Sequence, residues 1–131
     1  VSMGGHMAAL TSCCSPHAER ICLLLPSHSA EANWVDGGVM GLNTELPRDK
    51  MKTLLWESTC VDAYPPCLAK RAVIVAAKRD GYVPLWSSHL LRDYLEKHDV
   101  CVDFRTICGG HVSGFLAHQA DFARAVVDTA L

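Results

Sequence analysis

Three separated stations in this 131-residue chain carry residue types that act together in nucleophilic catalysis. Ser2 stands in Val1-Ser2-Met3-Gly4-Gly5-His6, Asp80 in Lys78-Arg79-Asp80-Gly81-Tyr82-Val83-Pro84, and His111 directly after Gly109-Gly110. A serine hydroxyl is a poor nucleophile at neutral pH. It needs a base within hydrogen-bond reach and a carboxylate that holds that base in the useful tautomer. In this reading Ser2 is the nucleophile, His111 the base and later the acid, and Asp80 the orienting carboxylate. Ser2-Met3-Gly4 matches the second half of G-x-S-x-G, where a sharp strand-to-helix turn lifts the serine hydroxyl clear of a sheet. The backbone N–H of Met3 would then donate to an oxyanion, a contact worth about 2.7–4 kcal/mol in the transition state. Other candidates rank lower. Asp103 falls inside a strand-like run and is expected to be solvated. His6, one turn into the first helix, is expected to be packed or exposed. His28 could face a pocket, with no chemical role expected.

Each station must be held by an element, and the sequence offers one for each. From Met3 to about Cys13 the residues are small or Leu, as suits a helix lying close on a sheet, and Ser15-Pro16 ends it. Ile21–Leu25 and Ala72–Ala77 are continuous apolar runs, expected of strands buried on both faces. Val100–Ile107 alternates after Val102, as an edge strand can. Pro84 is placed to open a helix of about 15 residues, with Leu85, Leu90, Leu91, Tyr94 and Leu95 on one stripe. After His111, helical spacing relates Val112, Phe115, Leu116, Phe122, Ala123, Val126, Val127 and Ala130. Strands alternating with helices imply a parallel sheet. Residues 26–69 differ, with four prolines, two of the three tryptophans and a helical pattern only over Asp49–Glu57. They are expected to form a helical or loop excursion, a cap or a plain connection, between the first two strands.

Composition narrows the classes. Twelve Lys and Arg against fourteen Asp and Glu give net −2, which offers no electrostatic case for nucleic acid. No apolar run approaches the roughly 20 residues that span a bilayer. Seven cysteines without a C-x-x-C read as reduced, buried thiols and favour an intracellular, reducing compartment. There is no H-E-x-x-H and no Cys/His pair at zinc-ligand spacing, so no metal is expected, and no cofactor. Val1 stands in the middle of a motif whose first glycine and strand would lie upstream. The chain is therefore expected to be a piece of a longer protein, one partial domain over 1–131, with little activity alone. Oligomeric state is not legible.

The order Ser…Asp…His is that of α/β hydrolases, unlike those of the chymotrypsin and subtilisin folds. SMGGHMAAL, LPSHSAEANWVDGGVM, AAKRDGYVP and GGHVSGFLAHQADFARAVVD together resemble the α/β-hydrolase domain-containing protein 18 family, in order, with 41–70 matching least. The resemblance implies the C-terminal portion of an α/β-hydrolase fold, with a three-stranded parallel sheet flanked by helices. It puts Ser2, Asp80 and His111 at the triad positions and implies a small-molecule or lipid acyl substrate, with mitochondria as a location. The leading expectation is a serine hydrolase of acyl esters. The alternatives are a peptidase or acyltransferase on the same triad, and a non-catalytic binding protein of the same fold.

Overall fold

The apolar runs pair as parallel strands in the computed structural model, which describes residues 1–32 and 47–131. The middle of the 26–69 excursion lies outside the described residues. The elements in chain order are α1 (Met3–Cys14), β1 (Arg20–Leu24), α2 (Arg48–Thr59), a 3-10 turn (Val61–Ala63), β2 (Arg71–Ala77), α3 (Leu85–Lys97), β3 (Cys101–Ile107), α4 (His111–Ala117) and α5 (Gln119–Ala130). The sheet order is β1-β2-β3, parallel throughout, with Arg20 opposite Arg71 and Arg71 opposite Cys101. As the central strand, β2 is buried from Ala72 to Ala77, which explains its unbroken apolar run. β3 lies at an edge and is mostly half-buried, as its alternation suggested.

Two cores flank the sheet. On one face Ala9 and Cys13 of α1 and Leu91, Tyr94 and Leu95 of α3 pack on Ile21, Leu23, Ala72 and Ile74. On the other, Phe122 and Ala125 of α5 pack on Leu24, Val73, Val75 and Ile107. Because side chains alternate along a strand, successive residues of β2 feed opposite cores. Gly5 sits where α1 crosses the end of β1. A Cβ there would stand 3.3 Å from the Leu24 carbonyl oxygen and from Pro26 Cβ, so only glycine lets the helix come this close without displacement.

Three expectations need correction. The helix after His111 is two helices, broken at His118 (φ −118°, ψ 30°). The break resets the helical phase, so the buried stripe of α5 is Phe122, Ala125 and Thr129, while Val126 and Val127 are exposed. In α3, Leu90 is exposed and Leu91, Tyr94 and Leu95 carry the packing. The cysteines are free but not uniformly buried. Cys13, Cys60 and Cys67 are, whereas Cys14 at a helix end, Cys101 at the start of the edge strand and Cys108 in a turn are exposed. Among the described residues no helix is long and apolar enough to cross a membrane.

Candidate active site

Ser2 precedes the first turn of α1 and is pinned to the sheet by its own N–H, which donates to the Leu24 carbonyl at 2.7 Å. Its φ of 55° and ψ of −127° lie where a residue with a side chain is strained. Serine before a helix usually turns its hydroxyl onto the N–H groups of the first turn. Here no such cap bond forms. The twisted backbone aims Oγ at His111 instead, with Ser2 Oγ 2.9 Å from His111 Nε2. The bonds to Leu24 and His111 hold Ser2 in place. Met3, the first residue of α1, has an N–H that by helix geometry finds no acceptor within the helix.

His111, the first residue of α4, and Asp80, in the loop after β2, follow the ends of β3 and β2, which pair along their whole length. Two backbone bonds continue that pairing past the strands: Lys78 N–H donates to Ile107 at 3.0 Å and Arg79 N–H to Gly109 at 3.0 Å. Gly109 has φ +103°, a conformation that favours glycine, and its turn brings His111 back towards the neighbouring loop. His111 Nδ1 lies 2.6 Å from Asp80 Oδ2, while Oδ1 accepts the backbone N–H groups of Tyr82 and Val83, both at 2.8 Å. An aspartate carboxylate can only accept, so Nδ1 carries the proton and the lone pair of Nε2 faces Ser2. The Asp80 side chain is 1% exposed and that of His111 15%. The acid is sealed and the base keeps an opening.

The remaining sequence candidates fall elsewhere. Asp103 is not simply solvated: it pairs with Arg105, which also holds Asp128 at 2.7 Å, and the guanidinium keeps its carboxyl below the ordinary value. His6 is buried, and its Nδ1 donates to the Ser27 carbonyl at 3.1 Å. Burial pushes its pKa down, only partly offset by that carbonyl. His28 is buried beside Trp56, Cys60 and Asp62.

Two features were not read from the sequence. Tyr82 lays its ring edge-on to His111, with centroids 5.5 Å apart; its place in D-G-Y was the available signal. A cavity of about 320 Å³ opens beside Met3, walled by His6, Met7 and Leu10 of α1 and by Ala30, Thr59 and Tyr64. Those residues are too scattered in sequence to have been grouped. A larger groove of about 480 Å³ between β3 and α5 includes none of Ser2, Asp80 and His111.

A family model described as alpha/beta hydrolase domain containing 18 matches residues 42–130, running through the stretch where the motif resemblance was weakest. No curated protein matches the chain. Among solved structures, an esterase from Pyrococcus furiosus superposes with a TM-score of 0.65 at 14% identity, covering 98% of this chain and 49% of that one. A butyrate-bound esterase from Thermogutta terrifontis superposes with a TM-score of 0.54 at 22% identity, covering 95% of this chain and 51% of that one. The chain thus spans about half the length of the solved structures it matches, and what it shares with them is the fold.

Proposed function

The chain belongs to the alpha/beta hydrolase domain containing 18 family, and from that premise we propose that it carries the Ser-His-Asp machinery of a serine hydrolase acting on acyl esters. The observation that carries the reading is the unbroken line from Ser2 Oγ through the His111 ring to the Asp80 carboxylate, at 2.9 and 2.6 Å. Both distances are within hydrogen-bond range.

Ser2 Oγ attacks the ester carbonyl as His111 Nε2 takes its proton, and Asp80 stabilises the imidazolium that forms. The carbonyl oxygen gathers charge against the Met3 N–H, with the positive end of α1 behind it. Collapse expels the alcohol, which receives the proton from His111 and leaves an acyl-Ser2 ester. Water, deprotonated by the same nitrogen, then releases the acid and restores Ser2. The apolar cavity beside Met3 supports an acyl chain as the recognised group and favours a lipid-like ester over a peptide. In this assignment residues 26–69 contribute a wall of that cavity through Ala30, Thr59 and Tyr64.

A fluorophosphonate probe should label the folded protein at Ser2. Labelling should vanish in Ser2→Ala and in His111→Ala with the circular dichroism spectrum unchanged. Folded protein that stays unlabelled, or labelling that survives in Ser2→Ala, overturns the proposal. Hydrolysis of nitrophenyl acyl esters against matched anilides then separates esterase from amidase chemistry.

A further inference from the structure

Among the described residues, the outer edge of β3 pairs with no strand. Cys101 N–H donates to the Lys70 carbonyl, and the Ile107 carbonyl accepts from Lys78 N–H, both at 3.0 Å. The odd-numbered residues of β3 therefore turn their backbone groups towards β2. By alternation, Val102, Phe104 and Thr106 direct both N–H and C=O outward. Such a row is a template for a further strand, and protected edges blunt it with lysine, proline or a bulge. β3 has neither lysine nor proline, and its register with β2 is regular.

The residues of that row select their own copy. Cys101-Val102-Asp103-Phe104-Arg105-Thr106-Ile107 carries opposite charges at equal distances on either side of Phe104. Laid antiparallel on a second copy and centred at Phe104, the strand sets Phe104 opposite Phe104 and Val102 opposite Thr106. All of these face outward, and together they exchange about six backbone hydrogen bonds. Asp103 then falls opposite Arg105 of the second copy, in the non-hydrogen-bonded position where side chains come closest. Centring one residue earlier or later sets Asp103 against Asp103 or Arg105 against Arg105, which is destabilising. Within one copy Arg105 already holds Asp103 and, at 2.7 Å, Asp128, so the four strand charges alternate in sign around the contact. On the opposite face, His89 stacks on Phe104 with ring centroids 4.8 Å apart, and the Arg92 guanidinium lies 5.3 Å from the same ring. α3 thus borders the edge, and its Trp86 and Leu90, one turn apart, are exposed.

We propose that the outer edge of β3 is the docking surface for a second copy of this chain, paired antiparallel about a two-fold axis at Phe104. The same row of groups serves both copies, so the contact closes on itself as a dimer. The two sheets join into one that is continuous across the axis. Because the paired strands run in opposite directions, the Asp80–His111 pairs of the two copies lie at opposite ends of the joint sheet. This surface stands independently of the assignment of Ser2.

Sedimentation velocity over rising protein concentration should show a reversible monomer–dimer equilibrium. Thr106→Pro deletes an outward N–H that the β2 ladder does not use, a change edge strands tolerate. It should hold the chain monomeric with its circular dichroism spectrum retained. Asp103→Lys, at a side chain 40% exposed, leaves Arg105 paired with Asp128 and sets a lysine against Arg105 of the second copy. It should weaken the dimer at least about tenfold, since like charges juxtaposed across an interface cost several kcal/mol. Glu57→Lys, the same kind of charge change at an exposed position of α2, should leave the dimer as it was. Should Thr106→Pro fail to fold, Asp103→Lys decides alone. A chain that stays monomeric at every concentration, a dimer unchanged in either folded edge variant, or one weakened equally by Glu57→Lys overturns the proposal.

Discussion

Asp80 divides its carboxylate between two tasks, and the division makes it sensitive to a nearly isosteric change. Oδ1 is committed to the Tyr82 and Val83 N–H groups, leaving Oδ2 to orient His111. In Asp80→Asn the amide oxygen keeps the backbone bonds, so the NH2 group points at His111 Nδ1. The imidazole must then carry its proton on Nε2, towards Ser2, where a lone pair is needed. Ester turnover should fall on the order of 10⁴-fold with an unchanged unfolding midpoint; a loss below tenfold would remove Asp80 from the triad. His6 supplies a test of stability rather than catalysis. Its folded-state pKa is depressed, chiefly by burial, so the unfolded chain binds the proton more readily. The stability it contributes is present above its ordinary value of about 6.5 and drains away as pH falls towards the depressed one. His28, also depressed, adds to the same slope. His6→Asn can still donate to the Ser27 carbonyl but does not titrate here. It should show a shallower loss of urea midpoint than the parent between about pH 6.5 and 5.

The elements most legible in the sequence were those under the strongest single constraint. β2 is buried from Ala72 to Ala77 and reads as a continuous apolar run; α1 reads through its small residues. α5 was misread because periodicity was carried across His118, where the helix ends and a new one begins in another phase. Nothing in local propensity marks that break; it follows from how Phe122 and Ala125 seat on β1 and β2. The contact of α1 with β1 yields a stability prediction. Gly5→Val gains helix propensity but drives a branched side chain against the Leu24 carbonyl and Pro26, neither of which swings away as a flexible side-chain end would. We expect a loss of about 1–3 kcal/mol in chemical denaturation. A midpoint at or above the parent's would show that α1 has room to retreat from the sheet.

Across the whole molecule, the meeting of Ser2, Asp80 and His111 was legible because each lies at a strand end, where open α/β sheets gather functional groups; their role as a triad is the proposal. The surroundings were not. The cavity beside Met3 takes its walls from α1, the segment after β1, the end of α2 and Tyr64. The buried contact between His28 and Cys60 spans 32 residues. No fixed spacing links such residues, because their proximity comes from the chain folding back on itself rather than from the pitch of one helix or strand.

The bond between Ser2 and His111 joins positions 109 residues apart, almost the full length of the chain. Contacts between distant points close late, because the entropy of the intervening chain must be given up before they return anything. Helices and the β2–β3 pair can form while Ser2 remains an ordinary, unreactive alcohol. If Ser2 acts as proposed, chemical competence is therefore a clock for the last stage of assembly. On dilution from denaturant, Ser2 labelling by a fluorophosphonate should lag the recovery of far-ultraviolet ellipticity. Simultaneous recovery of the two signals would mean that the chain ends find each other as early as the helices form.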